Sequence, residues 1–171
     1  MNANIIVESS GKLIWKGKEY KCAIGKDGIS KDKKENDGKT PVGCFPVRKI
    51  LYRADRISKP GSVFPTFEIT PDDGWCDDPN DLNYNRQIKL PYKASYENLW
   101  REDNLYDIIV VLGYNDDPPV SGKGSAIFMH IARPDYSPTA GCIALSLEDL
   151  LNILKEIDTD TYVCVQSEGN D

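Results

Sequence analysis

The sequence predicts a mainly β fold with minor α structure, and three patterns carry this prediction. Short apolar runs at residues 4–7, 13–15 and 20–24 are separated by turns that contain glycine, as is typical of consecutive strands. A continuous apolar run at residues 108–112 indicates a strand that is buried on both faces. Leucines recur at helical spacing in one segment, directly after Ser146.

Two long polar stretches separate the remaining elements of the N-terminal two thirds. We expect residues 26–39, which are rich in lysine and aspartate, to form a solvated surface loop that leads into a strand at residues 45–51. Residues 52–107 are irregular and contain repeated prolines, and a region of this length is uncommon unless it serves a functional site. We expect it to pack on the core with short strands and one helical turn near residues 96–100.

The C-terminal third carries the clearest boundaries. A strand is predicted at residues 126–132 and a last strand at residues 161–165. Between them, Ser146 and Asp149 match the N-cap and N3 positions of a capping box, and the helical spacing continues to Ile157. We therefore expect a single domain over residues 1–171 with a core from about residue 12 to residue 165.

Composition limits the classes of partner. The chain of 171 residues is 40% hydrophobic and 28% charged, with a net charge of −6, which is typical of a folded water-soluble domain. An acidic surface disfavours nucleic acid or an anionic membrane as the main partner. No export signal and no membrane span is visible in the sequence, and nothing indicates an obligate protein partner.

The chain has five cysteines and one histidine. The odd number leaves at least one cysteine outside any set of intrachain disulfides, and we expect most of the five to be small buried residues. There is no CxxC pair, and one histidine cannot supply a typical zinc cluster, so we expect neither a metal nor another cofactor. The cysteines are Cys22, Cys44, Cys76, Cys142 and Cys164.

His130 and Cys142 form the pair that indicates chemistry. The histidine lies on a predicted strand, and the cysteine follows it by 12 residues after a loop with two prolines, a spacing that allows the side chains to meet. Gly141 permits a close backbone approach beside the cysteine, where N–H groups would face an oxyanion. The imidazole would accept the thiol proton, the sulfur would attack an amide carbonyl, and an amine or water would resolve the acyl-thioester.

The residues around this pair resemble a known family. The run Thr139-Ala140-Gly141-Cys142-Ile143 after a strand histidine, with the upstream turn Gly38-Lys39-Thr40-Pro41-Val42-Gly43, resembles the L,D-transpeptidase catalytic domain of bacterial peptidoglycan enzymes, called YkuD-like. The resemblance extends over nearly the whole chain. It implies a β-sandwich-like domain with a helix after the catalytic cysteine.

The resemblance also implies roles for individual residues. Cys142 would be the nucleophile, His130 the base, the backbone carbonyl of Ile131 the group that orients the imidazole, and the N–H of Gly141 an oxyanion donor. Two positions depart from the family pattern: Ala140 replaces a frequent histidine, and Ala144 replaces a frequent arginine. The candidates for binding substrate are Arg133, as a replacement for that arginine, with Tyr136, Thr139, Tyr114 and Trp75.

The resemblance implies an L,D-transpeptidase that forms peptidoglycan crosslinks on stem peptides containing meso-diaminopimelate. The short loop at residues 133–138 and the segment at residues 74–78 resemble a compact branch in which 1,3-type crosslinks are expected. Two alternatives stay open: an L,D-carboxypeptidase or endopeptidase that uses the same pair, and a non-catalytic peptidoglycan-binding module. The substrate favours the periplasm or cell envelope, with a cytoplasmic location as the alternative.

Overall fold

The computed structural model describes residues 3–167, and it confirms the mainly β fold with a helix after the cysteine. The helix α1 is Leu147–Leu154. The strands, in chain order from β1 to β14, are Ile5–Glu8, Lys12–Trp15, Lys18–Lys21, Ile29–Ser30, Thr40–Pro41, Gly43–Tyr52, Thr66–Glu68, Asp73–Cys76, Gln87–Lys89, Tyr96–Asn98, Ile108–Leu112, Phe128–Ile131, Ile143–Leu145 and Tyr162–Gln166.

Nine strands form one sheet that nearly closes on itself. Its order is β13-β12-β11-β6-β14-β1-β2-β3, with β7 paired to β6. The two ends of this order meet where Ala23, after β3, exchanges both backbone hydrogen bonds with Ala144 of β13, at 2.8 and 2.9 Å. This contact satisfies backbone groups that an open sheet edge would leave unpaired.

The strands β11, β12 and β13 alternate between two environments, as the two-residue period of a strand requires. We call the side that packs on α1 the inner face, and the opposite side the outer face. The inner face carries Ile108, Val110, Leu112, Met129, Ile143 and Leu145, which share a core cluster with the helix residues Leu150, Ile153 and Leu154. The outer face carries Ile109, Val111, Phe128, His130 and Ala144. Cys142, the residue directly before β13, packs against the same side.

The helix begins as the capping-box pattern predicts but is shorter. The side chain of Ser146 accepts a hydrogen bond from the backbone N–H of Asp149 at 3.1 Å, which stabilises the first turn. The helix ends at Leu154 rather than at the expected Ile157. Ile157 is nevertheless buried, with 3% of its surface exposed. One further turn follows the helix, in which the N–H of Ile157 donates to the carbonyl of Ile153, and this turn places Ile157 in the core.

The region at residues 52–107 covers the outer face. Its strands β8, β9 and β10 form a separate three-stranded sheet in the order β10-β8-β9. The helical turn expected near residues 96–100 is wrong, because Tyr96–Asn98 pairs antiparallel with β8, Glu97 opposite Trp75. Trp75, Leu99 and Tyr106 from this region pack on the outer face in a second apolar cluster.

One other expectation needs correction, and the structure adds two features that were not predicted. The loop at residues 26–39 is not wholly solvated, because Lys33 is 6% exposed and donates to Asp37 at 2.6 Å. The strand β13 follows Cys142 directly and was not predicted, because three residues carry too short a pattern. Cys44 and Cys164, opposite each other on β6 and β14, form a disulfide, whereas Cys22 and Cys76 are buried free thiols as expected.

Within residues 3–167, no helix combines the length and the apolar character that a membrane crossing requires.

Candidate active site

The pairing of β12 with β13 brings the histidine and the cysteine to one face. The strands run parallel, and His130 lies opposite Ala144, two residues after Cys142. Because side chains two apart on a strand point to the same side, Cys142, Ala144 and His130 all lie on the outer face. The 12-residue separation in sequence therefore becomes a placement on neighbouring strands and on one face of the sheet.

The sulfur of Cys142 is held by backbone groups at the start of β12. It lies 3.2 Å from the carbonyl oxygen of Ala126, to which the thiol donates, and it accepts from the N–H of Phe128 at 3.4 Å. Ala126 has a φ of 54°, so the chain there adopts a left-handed conformation that turns its carbonyl towards the thiol. These two contacts fix the direction in which the Cys142 thiol points.

The Gly141-Cys142 turn requires glycine. Gly141 has a φ of 145°, and a Cβ there would lie 2.9 Å from the carbonyl oxygen of Lys39. Its carbonyl accepts a hydrogen bond from Thr40 Oγ1 at 2.8 Å, and the same Thr40 oxygen accepts from the N–H of Gly25 at 2.9 Å. The Thr40-Pro41 turn noted in the sequence thus supports the turn that carries the cysteine.

Thr139 closes the other side of this turn. Its hydroxyl donates to the carbonyl of Cys142 at 2.6 Å and accepts from the N–H of Gly141 at 3.0 Å. The N–H of Gly141 is therefore engaged in this structure. Thr139 therefore stabilises the Gly141-Cys142 turn, and it also lines the cleft.

The imidazole of His130 has one nitrogen fixed by the backbone. Nδ1 lies 2.9 Å from the carbonyl oxygen of Ile131, so Nδ1 carries the proton as donor and Nε2 keeps its lone pair. The ring of Tyr106 packs edge-to-face on the imidazole, with centroids 5.3 Å apart. His130 is 6% exposed, so a single rotamer and tautomer are held in place.

Burial favours the neutral form of both reacting groups. Removal from water lowers the pKa of His130 to about 4, against the opposing effect of the Ile131 carbonyl. Burial, and then the negative charge of Glu97, raises the pKa of Cys142 to about 12, although the Phe128 N–H and Lys33 oppose this. At neutral pH the free protein therefore holds a thiol beside a neutral imidazole.

These groups open into a cleft of about 570 Å³. Three segments form its walls, the loop at residues 26–39, the region covering the outer face and the loop at residues 133–142, and residues 125–127, His130 and Ala144 form its floor. Charges of both signs line it, although the whole chain is acidic, and this mixture suits a substrate that itself carries both signs. The charged lining residues are Lys26, Lys33, Arg101, Arg133, Glu35, Asp77 and Glu97.

The structure brings some of the expected substrate residues to the cleft and not others. Arg133 and Thr139 line it, and Arg133 is exposed. Tyr136 lies beside it, packed on Ala23, Ala132 and Ala144 under the ammonium group of Lys21.

Two aromatic candidates do not line the cleft. Trp75 is 6% exposed, donates to Asn85 Oδ1 at 2.9 Å and packs edge-to-face on Phe128, which makes it a core residue. Tyr114 packs on Phe45, with ring centroids 5.4 Å apart, and its hydroxyl donates to the carbonyl of Lys123. Their side chains pack behind the residues that line the cleft and do not border it themselves.

The position of the frequent family arginine has no space for one here. Ala144 is 1% exposed and packs against two other alanines, Ala23 and Ala132, with Tyr136 over them. A long cationic side chain at residue 144 would displace this cluster. Positive charge enters the cleft from other segments, through Arg133 and Arg101 among others.

The sequence patterns missed several cleft residues. Lys33 lies in the loop expected to be solvated, and a Cβ on Gly141 would approach its ammonium group to 3.5 Å. Glu97, Arg101 and Tyr106 come from the irregular region, where no periodic spacing marks them. The only available signal was the length of that region, which indicated in general terms that it serves a site.

Comparison with known proteins gives a family and a fold resemblance. A family model described as the L,D-transpeptidase catalytic domain (YkuD) matches residues 4–165. No curated protein matches the chain. Among solved structures, the helical cell shape determining protein Pgp2 from Campylobacter jejuni has a TM-score of 0.47 at 16% identity, over 97% of this chain and 48% of that one.

A point mutant of the same Campylobacter protein has a TM-score of 0.45 at 19% identity, over 99% of this chain and 48% of its own. The chain thus spans about half the length of these two solved chains.

Proposed function

The chain belongs to the family of YkuD L,D-transpeptidase catalytic domains, and on that premise we propose that it forms peptidoglycan crosslinks through an acyl-thioester on Cys142. The observation that carries this proposal is the imidazole of His130. Its Nδ1 is fixed on the Ile131 carbonyl, and it lies on the same face as the cysteine in an open cleft.

The first half of the reaction acylates the cysteine. His130 Nε2 accepts the thiol proton as the sulfur attacks the amide carbonyl of the donor stem peptide. The C–N bond then breaks, and the departing amine takes the proton from the imidazole. Because both groups are neutral before substrate binds, proton transfer accompanies the attack rather than preceding it.

The oxyanion of this step needs donors close to the sulfur. The N–H groups of Gly141 and Cys142 are our candidates, since both flank the nucleophile. The N–H of Gly141 donates to Thr139 Oγ1 in the free protein, so it must exchange that acceptor for the oxyanion. The glycine conformation and the Thr40 contact keep the turn in place during the exchange.

The second half transfers the acyl group. The amine of an acceptor stem peptide attacks the thioester, His130 accepts its proton, and the C–S bond breaks to regenerate the thiol. Water in place of the amine gives hydrolysis instead. The mixed charges of the cleft support binding of a peptide with carboxylates and ammonium groups, such as one containing meso-diaminopimelate.

Mass spectrometry with a defined stem tetrapeptide tests this proposal. We expect an acyl-enzyme on the peptide that contains Cys142, followed by a crosslinked dimer whose bond position identifies the donor residue and so separates 3,3 from 1,3 crosslinks. His130→Ala should give no acyl-enzyme. Trimmed monomers alone would replace transfer by carboxypeptidase or endopeptidase activity, and no adduct at all would leave only a binding module.

The place of action follows from the substrate. Peptidoglycan lies outside the inner membrane, so we propose that the protein works in the periplasm or cell envelope. The disulfide between Cys44 and Cys164 supports this location, because disulfides persist in oxidising compartments. Alkylation of thiols in intact cells and in lysed cells tests it, since a reduced pair in intact cells would contradict export.

A further inference from the structure

Glu97 is an acidic side chain that the mechanism above does not use. It lies on β10 in the wall of the cleft. The hydroxyl of Tyr106 donates to its Oε2, and the ring of the same tyrosine packs on His130. Glu97 is therefore connected to the catalytic pair through one aromatic residue.

The second oxygen of Glu97 is accessible and has no partner among residues 3–167. Every fully buried side-chain nitrogen and oxygen in that part of the chain has a hydrogen-bond partner. Oε1 of Glu97 has none, so it is not fully buried, and Glu97 lines both the cleft and the smaller pocket beside Trp100 and Glu102. One oxygen thus holds the carboxylate in place, and the other remains available to a ligand.

Within residues 3–167, Glu97 forms no ion pair with a lysine or an arginine. Arg101, which lines the same cleft, directs its guanidinium in a bidentate contact to Asp103, at 2.8 and 2.7 Å. The charges of Asp77 and Glu35 act on Glu97 in the same direction as burial, and together they raise its pKa against the Tyr106 hydrogen bond and Arg101. A partly desolvated acid with acidic neighbours is best complemented by a cation that brings its own N–H donors.

Exposed cations lie on the other side of the cleft. Lys26 and Arg133 come from the loops at residues 26–39 and 133–142 and are exposed. The loop at residues 26–39 also contributes one acid, Glu35, whose carboxylate accepts hydrogen bonds from Tyr84 and Ser125. A ligand with an ammonium group and a carboxylate close together matches both the carboxylate of Glu97 and these cations.

We propose that Glu97 is a specificity-determining residue that binds a primary ammonium group of the peptide substrate, while Lys26 and Arg133 face its carboxylates. This inference rests on the proposed function, because the side chain of meso-diaminopimelate carries an ammonium and a carboxylate on one carbon. The role is binding and positioning of the substrate, since Glu97 touches neither the sulfur nor the imidazole in any contact of this structure.

An ammonium on Glu97 would also change the electrostatics at the nucleophile. The negative charge of Glu97 is second only to burial among the causes that raise the pKa of Cys142. A bound cation offsets that charge and so favours the thiolate. The substrate amine would then contribute to selection twice, once through binding and once through activation of the thiol.

Calorimetric titration of the full chain carrying Cys142→Ala, which cannot be acylated, tests the binding. The two ligands are a stem tetrapeptide containing meso-diaminopimelate and the same peptide acetylated on the side-chain amine. We expect acetylation to weaken binding about tenfold or more, the usual effect of removing one partner of a desolvated charge pair. In Cys142→Ala with Glu97→Gln, the same acetylation should change affinity less than about twofold.

Glu97→Gln is a conservative test, because its amide oxygen can still accept from the Tyr106 hydroxyl, and an unchanged melting temperature will verify the fold. Asp77→Asn is the matched control: it removes one acidic charge from the same wall, but its carboxylate already accepts from Ser95 Oγ at 2.6 Å. We expect Asp77→Asn to retain the discrimination between the two peptides.

Two results overturn the inference: no preference for the free amine in the Cys142→Ala chain, or an equal preference after Glu97→Gln. Neither depends on turnover. Failure of the proposed function is a separate result, the absence of an acyl-enzyme on the native chain with the same free-amine peptide. Selective binding without acylation would support the ammonium site at Glu97 and contradict the proposed transferase activity.

Discussion

The inner and outer faces of β11, β12 and β13 use alternate residues of the same strands for opposite purposes. On the inner face, Met129, Ile143 and Leu145 pack on α1 with no polar atom in their side chains. On the outer face, one residue away in each case, lie His130, Cys142 and Ala144. The polar and thiol groups of these strands therefore all lie on the face that α1 does not cover, and we propose that this face carries the chemistry.

The two faces are also covered by different kinds of segment. The inner face is closed by α1, whose apolar spacing is visible in the sequence. The outer face is closed by residues from distant segments, including Tyr106, Glu97 and Lys33, which meet only in the folded chain. Substitutions on the inner face should therefore affect stability, whereas those on the outer face should affect activity, and four experiments test this division.

The largest effect is expected from a matched pair of cysteine substitutions. Cys142→Ala removes the outer-face nucleophile and should lower turnover at least about a thousandfold with the fold intact. Cys22→Ala removes an inner-cluster thiol that is 4% exposed, so it should lower the melting temperature and leave turnover of the folded protein unchanged. Crosslink assays with thermal melts measure both, and retained activity in Cys142→Ala would end the mechanism.

The next effect is on the inner face alone. Leu150 of α1 is fully buried in the inner cluster, so Leu150→Ala should reduce the free energy of unfolding by about 2–5 kcal/mol. Urea titration measures it, with Leu151→Ala as the control, because Leu151 is only half-buried on the same helix. A comparable loss in both variants would mean that the helix does not pack as described.

A smaller effect is expected at Thr40, where the Thr40-Pro41 turn contacts the Gly141-Cys142 turn. Thr40→Val leaves the Gly141 carbonyl and the Gly25 N–H without their buried partner, at a cost of about 1–3 kcal/mol in unfolding free energy. Acylation should also slow, because the nucleophile turn loses its support. Thr66→Val, at a half-buried threonine that bonds only its own loop, is the control. Normal acylation in Thr40→Val would show that Thr139 alone maintains the turn.

The smallest intervention is a change of pH. With the pKa of Cys142 raised to about 12, thiolate is scarce at pH 7 and should increase about tenfold per pH unit up to pH 10. The rate of alkylation by iodoacetamide, followed at Cys142 by mass spectrometry, should rise in the same way. A small free thiol, the control, levels off above pH 9. A plateau at Cys142 near pH 7 would mean that a thiolate–imidazolium pair already exists.

Much of the fold was predictable from local pattern. The strands at Ile5–Glu8, Ile108–Leu112 and Tyr162–Gln166 carry uninterrupted apolar runs, and the cap of α1 depends on residues three apart. The short strands β10 and β13 were missed because their partners, not their own residues, determine their conformation. The Cys44–Cys164 disulfide was missed because 120 residues separate the two positions in sequence.

The candidate site divides in the same way. His130, Cys142 and Gly141 were proposed from the sequence because they lie within 12 residues of one another in a run that resembles a known family. Lys33 and Glu97 were not, because their burial and charge environment arise from contacts between segments that no spacing connects.

The sequence by itself determined the class of fold, since strand period and a helix cap are local constraints, and its resemblance to a known family indicated His130 and Cys142 as the candidate pair. Only the tertiary structure decided which groups surround that pair: the closure of the sheet between Ala23 and Ala144, the support of the Gly141-Cys142 turn by Thr40, and the place of Glu97 in the cleft. The physical reason is that packing and electrostatics act through space, and the chain brings these residues together only when the sheet closes.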